Sequence, residues 1–331
     1  MPKLVKNKKA EMSDEQREHF VAWREAHSMA IGSSEAAAAV GFSKYLTPLG
    51  LYRKKLGLAE TSEAGEAARW GQRLEEPVMA ALYEEFGVRL VTVAEDYVAE
   101  KHCPAADFLG VFNFKYGGKQ VLLRSKERPF MVFSPDGFCS DGQGEVGIVE
   151  AKTTSLWKAG DWGDNPPDEV LIQCWHGMAV TGLQFAIVPV LIGGQRFEAY
   201  LVERNEDTIA GLIAAEQDFM GCLERREAPP WVEGDDLDNL KSIYAKPNGE
   251  QIDLPGQAET LIAEWLDVRR RKSECEKRAK AIETSIRGVM GDSEFGKAGQ
   301  YEISLKETHN KGGTRVVHPY SYRQLRVKGH R

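Results

Sequence analysis

Residues 130 to 153, FMVFSPDGFCSDGQGEVGIVEAKT, constrain the fold more than any other stretch of the chain. Two short apolar runs, Phe130 to Phe133 and Val146 to Val149, have the aromatic and β-branched make-up of strands. Between them SDGQG supplies an Asp-Gly pair and a second glycine, which accept the positive φ values of a tight turn. A turn centred on Gln143 places Asp136 and Glu150 the same number of residues to either side. Antiparallel pairing then sets them opposite each other, with Cβ atoms roughly 5 Å apart. A slip of one residue would send one of them to the other face.

Glu150 and Lys152 stand two apart, so on a strand they share a face and Ala151 points away. That face reads Asp, Glu, Lys. Hard oxygen ligands of this kind suit magnesium or manganese, which bind one or two carboxylates, keep several waters and use phosphate oxygens for the rest. A neighbouring lysine can orient or deprotonate a water, or neutralise charge developing on phosphorus. A surface hairpin with solvated charges can carry the same letters. Against that stand the rigid SPDG approach to the aspartate and an apolar strand that runs straight into the Glu-x-Lys.

SPDGFCSDGQG followed by EAK resembles the catalytic core of the YqaJ-like phage recombinase nucleases, relatives of lambda exonuclease within the PD-(D/E)xK superfamily. The resemblance runs over roughly residues 24 to 205 and rests on four motifs in order. It implies an α/β fold, a restriction-endonuclease-like core whose central mixed sheet is flanked by helices, with a smaller C-terminal helix-and-strand extension. The expected division is a nuclease core over 1–228, an acidic proline-containing linker over 229–256 and a basic module over 257–331.

At 331 residues the chain is long enough for a large domain and a smaller one. The opening MPKLVKNKKA reads as a loose basic arm without the apolar stretch of a secretory signal. The longest apolar run, FAIVPVLI, is too short to span a bilayer. Cys103, Cys139, Cys174, Cys222 and Cys275 are scattered with no C-x-x-C, which suits reduced thiols and a cytoplasmic location in a bacterial host. Charge is segregated. Residues 269–331 hold 16 Lys or Arg against 7 Asp or Glu, a balance of +9 within a chain of net −7, so residues 1–268 carry −16. A local basic surface on an acidic protein is compatible with phosphate recognition.

Taken in order, Ser13 caps a helix from Asp14 to Ala26. Ser34 or Ser33 caps an alanine-rich helix that starts near Glu35 and ends at Gly41. In GEAARWGQRLEEPVMAALYEEFG the residues Trp70, Leu74, Val78 and Leu82 recur at helical spacing, with Pro77 a site for a kink and Gly87 the stop. RLVTVAEDYVA reads as a strand. SLWKAGDWGDNPPDEV reads as a loop whose Trp157 and Trp162 could stack on bases or pack beneath it. A helix from Asp168 to Gly182 carries Gln173, His176 and Val180 on one stripe, and His176 reads as structural. FAIVPVLIGG and RFEAYLVER form a hairpin turning at Gly193 and Gly194, and Pro189 suggests that its strand lies near an edge or carries a bulge. Thr208–Arg226 reads as a helix. Gln257–Met290 reads as a long charged helix, suited to pairing with another helix, projecting as an arm or lying along DNA. YEISLKE and SYRQLRVK read as short strands.

The resemblance assigns roles. Asp136, Glu150 and the Ala151 carbonyl hold Mg2+, or Mn2+, while Lys152 assists the nucleophile and Glu75 of WGxxxE supports the second metal or a bridging water. Ser34 and Gln173 hold backbone phosphates, and His27 stands where the family has an arginine. The implied activity is 5′ to 3′ degradation of double-stranded DNA from its ends, leaving single strands for a single-strand annealing protein. The implied assembly is a homo-oligomer, by resemblance a ring of three. Two other readings share the fold. One is a Cas-type or host repair nuclease, whose relatives carry iron–sulfur cysteines that this chain does not arrange. The other is a DNA-binding protein without chemistry.

Overall fold

In a computed structural model, which describes residues 13–59, 65–91, 102–114, 118–141 and 144–307, the hairpin forms in the register that its turn composition predicts. Strand β6 (Gly137–Ser140) pairs antiparallel with β7 (Val146–Val149), Gly137 opposite Val149 and Ser140 opposite Val146. One step further along the same register sets Asp136 opposite Glu150. The hairpin closes where Asp141 N donates to Glu145 O at 2.9 Å and Glu145 N to Asp141 Oδ1 at 2.8 Å.

This hairpin is the middle of a mixed sheet ordered β10-β9-β7-β6-β2, where β2 is Arg89–Val91, β9 Phe185–Ile192 and β10 Arg196–Glu203. Strand β8 (Lys152–Thr154) also pairs with β9. β7 and β8 run parallel to β9 in a single continuous register, since Ile148 faces Ala186 and Lys152 faces Val190. What separates them is Pro189. Glu150 N donates to Ile187 O at 3.0 Å. The next bond of a parallel ladder would come to the Glu150 carbonyl from residue 189, and a proline has no N–H to give. The expectation that the Pro189 strand lies near an edge or carries a bulge is met in the first form: β9 is next to the edge strand β10, and the proline is accommodated by interrupting its other neighbour.

Helices cover both faces of the sheet, as the α/β expectation requires, and the alternation of side chains along the strands decides which residues meet them. Cys139, Val149, Ile187, Phe197 and Ala199 form one cluster with Met79 and Leu82 of α4 (Glu66–Phe86). Phe138, Ile148, Ala186 and Val188 point the other way and pack with Cys174 and Met178 of α5 (Asp168–Thr181). By the same alternation Asp136, Glu150 and Lys152 belong to the α5 face. A second sheet ordered β1-β5-β4-β3 lies beyond α5, with β1 Ile31–Gly32, β3 Ala106–Phe114, β4 Gly118–Ser125 and β5 Met131–Phe133. Gly177 of α5 sits so close to it that an added Cβ would stand 2.8 Å from the Phe133 ring.

The helix signals are met at most ends. Ser13 accepts from Gln16 N at 3.2 Å in a capping box that opens α1 (Asp14–Ser28). Gly87 and Gly182 end α4 and α5 at φ 70° and 80°, and Gly193 and Gly194 turn the β9–β10 hairpin at φ 62° and 75°. The serine caps need correction. Helix α2 (Ser33–Ala39) starts two residues earlier than Glu35, with Gly32 as its N-cap and no side-chain cap, so Ser33 and Ser34 both lie within its first turn. α3 (Pro48–Lys55) follows, then, past β10, α6 (Glu206–Arg225). Trp70 is exposed rather than part of the buried stripe, under the guanidinium of Arg73 at 5.1 Å. Residues 92–99 of RLVTVAEDYVA and the terminal SYRQLRVK lie outside the described residues.

The chain divides into two compact units, 1–239 and 240–331. Within the first, residues 231–239 are tied down. Buried Asp236 accepts from Thr47 Oγ1 at 2.5 Å and from Asn239 Nδ2 at 2.7 Å, and Arg53 Nη1 donates to Asn239 Oδ1 at 2.6 Å. A short α7 (Leu237–Ile243) follows. The second unit is built on α8 (Gln257–Met290), 34 residues without a buried side chain. Its charges pair at helical spacing, Arg270 with Glu274 at 2.8 Å and Arg271 with Asp267 at 2.9 Å. β11 (Phe295–Ala298) and β12 (Tyr301–Ser304) form a hairpin after it.

His176, on α5, is fully buried and fastens the first unit across its layers. Nδ1 meets Glu216 Oε1 of α6 at 2.7 Å and Nε2 meets the Val132 carbonyl of β5 at 3.0 Å. A carboxylate and a carbonyl both accept, an arrangement that favours a proton on each ring nitrogen. Burial disfavours the charge, but Glu216 and the carbonyl outweigh it and hold the imidazole above its usual value. A raised histidine pKa contributes stability below the unfolded value of 6.5 and loses it as pH rises through the folded one. The difference in unfolding free energy between the protein and His176→Gln should be largest below about pH 6.5 and shrink on going alkaline. Urea melts at several pH values check this; a pH-independent difference would show a neutral imidazole.

Candidate active site

The interrupted strand delivers its two charged side chains to the α5 face and its middle residue to the opposite one. Residues 150 and 152 bond to β9, so the Ala151 backbone turns towards β6, where its N–H donates to Asp136 Oδ2 at 2.8 Å. Glu150 is 2% exposed. Its Oε1 accepts from the Lys152 ammonium and from Gln173 Nε2, the latter at 2.5 Å. Its Oε2 is buried with no hydrogen-bond partner. Gln173 reaches it because α5 packs on this face and Gln173 lies one turn before the anchored His176 and Gly177.

Glu75 comes from the other helix. Gly71, one turn before it on α4, lets the helix lie close to β8, since an added Cβ would sit 3.6 Å from Thr153 Oγ1. Between the two elements is an open cleft of about 330 Å³, lined by Gly71, Gln72 and Glu75 and by Ala151, Lys152 and Thr153. Gly71 escaped notice in the letters, although the spacing of WGxxxE places it on the face of Glu75.

Electrostatically the site holds acids under pressure. Burial, then the charges of Glu150 and Glu75, push Asp136 well above the usual carboxylate range, with Lys152 opposing. Burial raises Glu75 to about 7, with Lys152 pulling down and Glu150 pushing up. Burial alone would lower Lys152, but Glu150 and Asp136 hold it above its ordinary value. The neighbouring Cys174 thiol is pushed far up, first by burial and then by Glu150.

Five of the seven residues singled out in the sequence thus meet: Asp136, Glu150, Ala151, Lys152 and Gln173, with Glu75 near enough to feel two of their charges. Ser34 stands apart, exposed on the first turn of α2. Beside it Glu35 is paired with Lys55 at 2.5 Å and Lys54 at 3.3 Å. His27 is buried, stacked on Trp23 at 3.7 Å with Nδ1 on the Trp23 carbonyl at 2.8 Å, and burial lowers its pKa. It is a packed imidazole, not a free cation. Among the described residues no three His, Cys, Asp or Glu side chains form a ready-made metal cage.

Residues 22–184 match the model of the YqaJ-like viral recombinase domain. The chain carries a YqaJ-like viral recombinase domain. It spans Glu75, Asp136, Glu150, Lys152 and Gln173, while β9 and β10, which complete the sheet, follow it. An uncharacterised protein named YqaJ from Bacillus subtilis (strain 168) is 29% identical over 283 residues, 83% of this chain and 80% of its own length. Among solved structures, an alkaline exonuclease from Laribacter hongkongensis overlaps 62% of this chain and 94% of its own at 20% identity and TM-score 0.43. The same enzyme in complex with dAMP gives 19% identity and TM-score 0.45 over the same shares. Among the described residues no helix is long and apolar enough to cross a membrane.

A divalent cation fits the donor set: the orphaned Glu150 Oε2 is a buried acceptor, Asp136 is a crowded carboxylate, and both are hard oxygen ligands. Mg2+ or Mn2+ is expected to raise the melting temperature, since a ligand at 100 times its Kd adds about 2.7 kcal/mol. In Glu150→Gln the rise on adding the ion should shrink or vanish relative to the same variant without it. An equal rise in both would place the cation elsewhere.

Proposed function

We propose that the protein is a metal-dependent deoxyribonuclease of phage recombination that degrades linear double-stranded DNA from its ends, 5′ to 3′, leaving single strands for an annealing partner. The observation that carries this reading is the buried Glu150 carboxylate, one oxygen taken by Lys152 and Gln173 and the other without a partner, with Asp136 close enough to feel its charge.

Asp136, Glu150 and the Ala151 carbonyl would hold Mg2+, with Mn2+ an alternative. When bound, the ion supplies Lewis-acid polarisation of the scissile phosphate and an activated water. The chain's own groups do the rest. Gln173 fixes the Glu150 carboxylate by donating to Oε1, so Oε2 faces the site in one orientation. Lys152 places an ammonium where negative charge develops on the phosphate oxygens. Glu75 adds a third carboxylate from across the cleft, and Ser34 offers a hydroxyl to a backbone phosphate.

Purified protein with magnesium should degrade linear duplex and spare closed circles, and label at one end should reveal 5′ to 3′ polarity. Lys152→Ala should lower the rate by about 10²-fold or more with duplex binding retained. Equal rates in the two proteins would remove Lys152 from the reaction, and no hydrolysis in either would favour a DNA-binding protein without chemistry. Because His27 is packed and its Nδ1 occupied, 5′-phosphorylated and 5′-hydroxyl ends should be degraded at rates within about threefold, a ratio that single-turnover assays measure; a strong preference for phosphate would point to another cation.

A further inference from the structure

We infer that Trp157, with Tyr45 and Lys158, is a platform for an unpaired nucleobase of the substrate strand, close beyond the scissile phosphate. The inference rests on the deoxyribonuclease reading and adds a base-binding subsite to it.

Two tryptophans in one loop have opposite fates. Trp162 is buried, its ring 5.7 Å from that of Tyr200 in β10. Trp157 is 97% exposed. The loop can bury an indole and does not bury this one, although a ring of that size gains 25 cal/mol per Å² on leaving water, by the usual rough figure. Nor is Trp157 on a slack segment. It lies in a 3-10 turn, Leu156–Asp161, in which Leu156, Lys158 and Asp161 make contacts outside the turn. Leu156 packs against the β9–β10 turn, where a Cβ on Gly193 would be 3.3 Å from its own. Lys158 donates to the Tyr45 hydroxyl, with its Nζ 4.7 Å from the ring centroid. Asp161 pairs with Lys44 at 3.4 Å, and the Lys44 N–H donates to Glu169 in the first turn of α5. An indole is thus held outward on a braced turn, one residue before an ammonium that donates to an exposed phenol.

Its place follows from α5. Glu169 bonds to the rim and Gln173 to Glu150, and the two are four residues apart on one helix face, about 6 Å along the axis. Along the chain Trp157 is five residues past Lys152, at most about 17 Å. At 3.4 Å per nucleotide that is on the order of five nucleotides or fewer. Bases inside a duplex have their faces covered by their neighbours, so a free aromatic face suits an unpaired base, with a cation nearby for its phosphate.

The test uses Lys152→Ala protein with magnesium, so that DNA is bound without being cut, and fluorescence anisotropy with single-strand-tailed and blunt duplexes. Adding Trp157→Ala should weaken binding of the tailed duplex by about fivefold or more. Trp157→Phe should restore most of it, and blunt duplex should be little affected. An abasic site moved along the tail should weaken binding at one position when Trp157 is present and make no difference at that position in Trp157→Ala. Unchanged affinity without that coupling, while the native protein still degrades linear duplex, overturns the platform and leaves the nuclease standing. Absence of both binding and degradation overturns both. A lower mass for Trp157→Ala by light scattering would make Trp157 a subunit contact and also overturn the platform.

Discussion

The buried carboxylate of Glu150 is the constraint to which the rest of the first unit answers. A lone ionised group with almost no exposure is costly unless it is paired and hydrogen-bonded. Here one oxygen is doubly satisfied by Lys152 and Gln173 while the other is left with nothing. Such a half-satisfied group survives only where surrounding structure enforces it. The enforcement begins with Pro189. By withholding one N–H from the ladder it parts β7 from β8 at Glu150 and Ala151, without moving β9 off register.

Helix α5 supplies the other half of that enforcement. It lies between two sheets and cannot shift towards either: Gly177 already touches the Phe133 ring at the limit of packing, and His176 is bonded to β5 on one side and α6 on the other. Gln173, one turn earlier, inherits that rigidity, and so does the orientation of Glu150. Catalytic groups need to be held to within a fraction of an ångström, and that precision comes from the groups that support them. His176 therefore matters without touching the site: an ion pair that binds three elements is a stiff reference for the side chain beside it.

Much of this was legible in the letters. The composition of SDGQG fixed the centre of the hairpin, and the centre fixed which acid opposes which, because a strand has a period of two and tolerates no fractional slip. Helix ends marked by Gly87 and Gly182 were equally plain, since only a left-handed conformation with no Cβ closes them cheaply. What escaped was whatever depended on a distant partner. Pro189 pointed to a strand near an edge or a bulge, but that strand alone does not reveal that the missing donor faces a gap in another strand. Ser34 looked like a cap because a glycine two residues earlier competes for the role with no side chain at all, and only the backbone path at Gly32 decides it. Trp157 and Trp162 had equal claims to the interior, and which one packs depends on where β10 and the α2–α3 loop lie.

Charge sets the final condition on the proposed chemistry. Residues 1–268 carry −16, and Asp136, Glu150 and Glu75 act on one another's charges, with Lys152 opposing. A strand bearing one negative charge per phosphate meets net repulsion there, and the repulsion is strongest at short range, where little solvent remains to screen it. The raised proton affinities of Asp136 and Glu75 report the same excess: the site already prefers protons to bare carboxylates. A divalent cation relieves both conflicts at once, giving the orphaned oxygen of Glu150 a partner and turning the cleft from repelling phosphate to attracting it. Under the proposed function, productive entry of DNA therefore requires the cation to arrive first or together with the phosphate, and the acidity of the cleft becomes a means of keeping the site closed to nucleic acid until the ion is present.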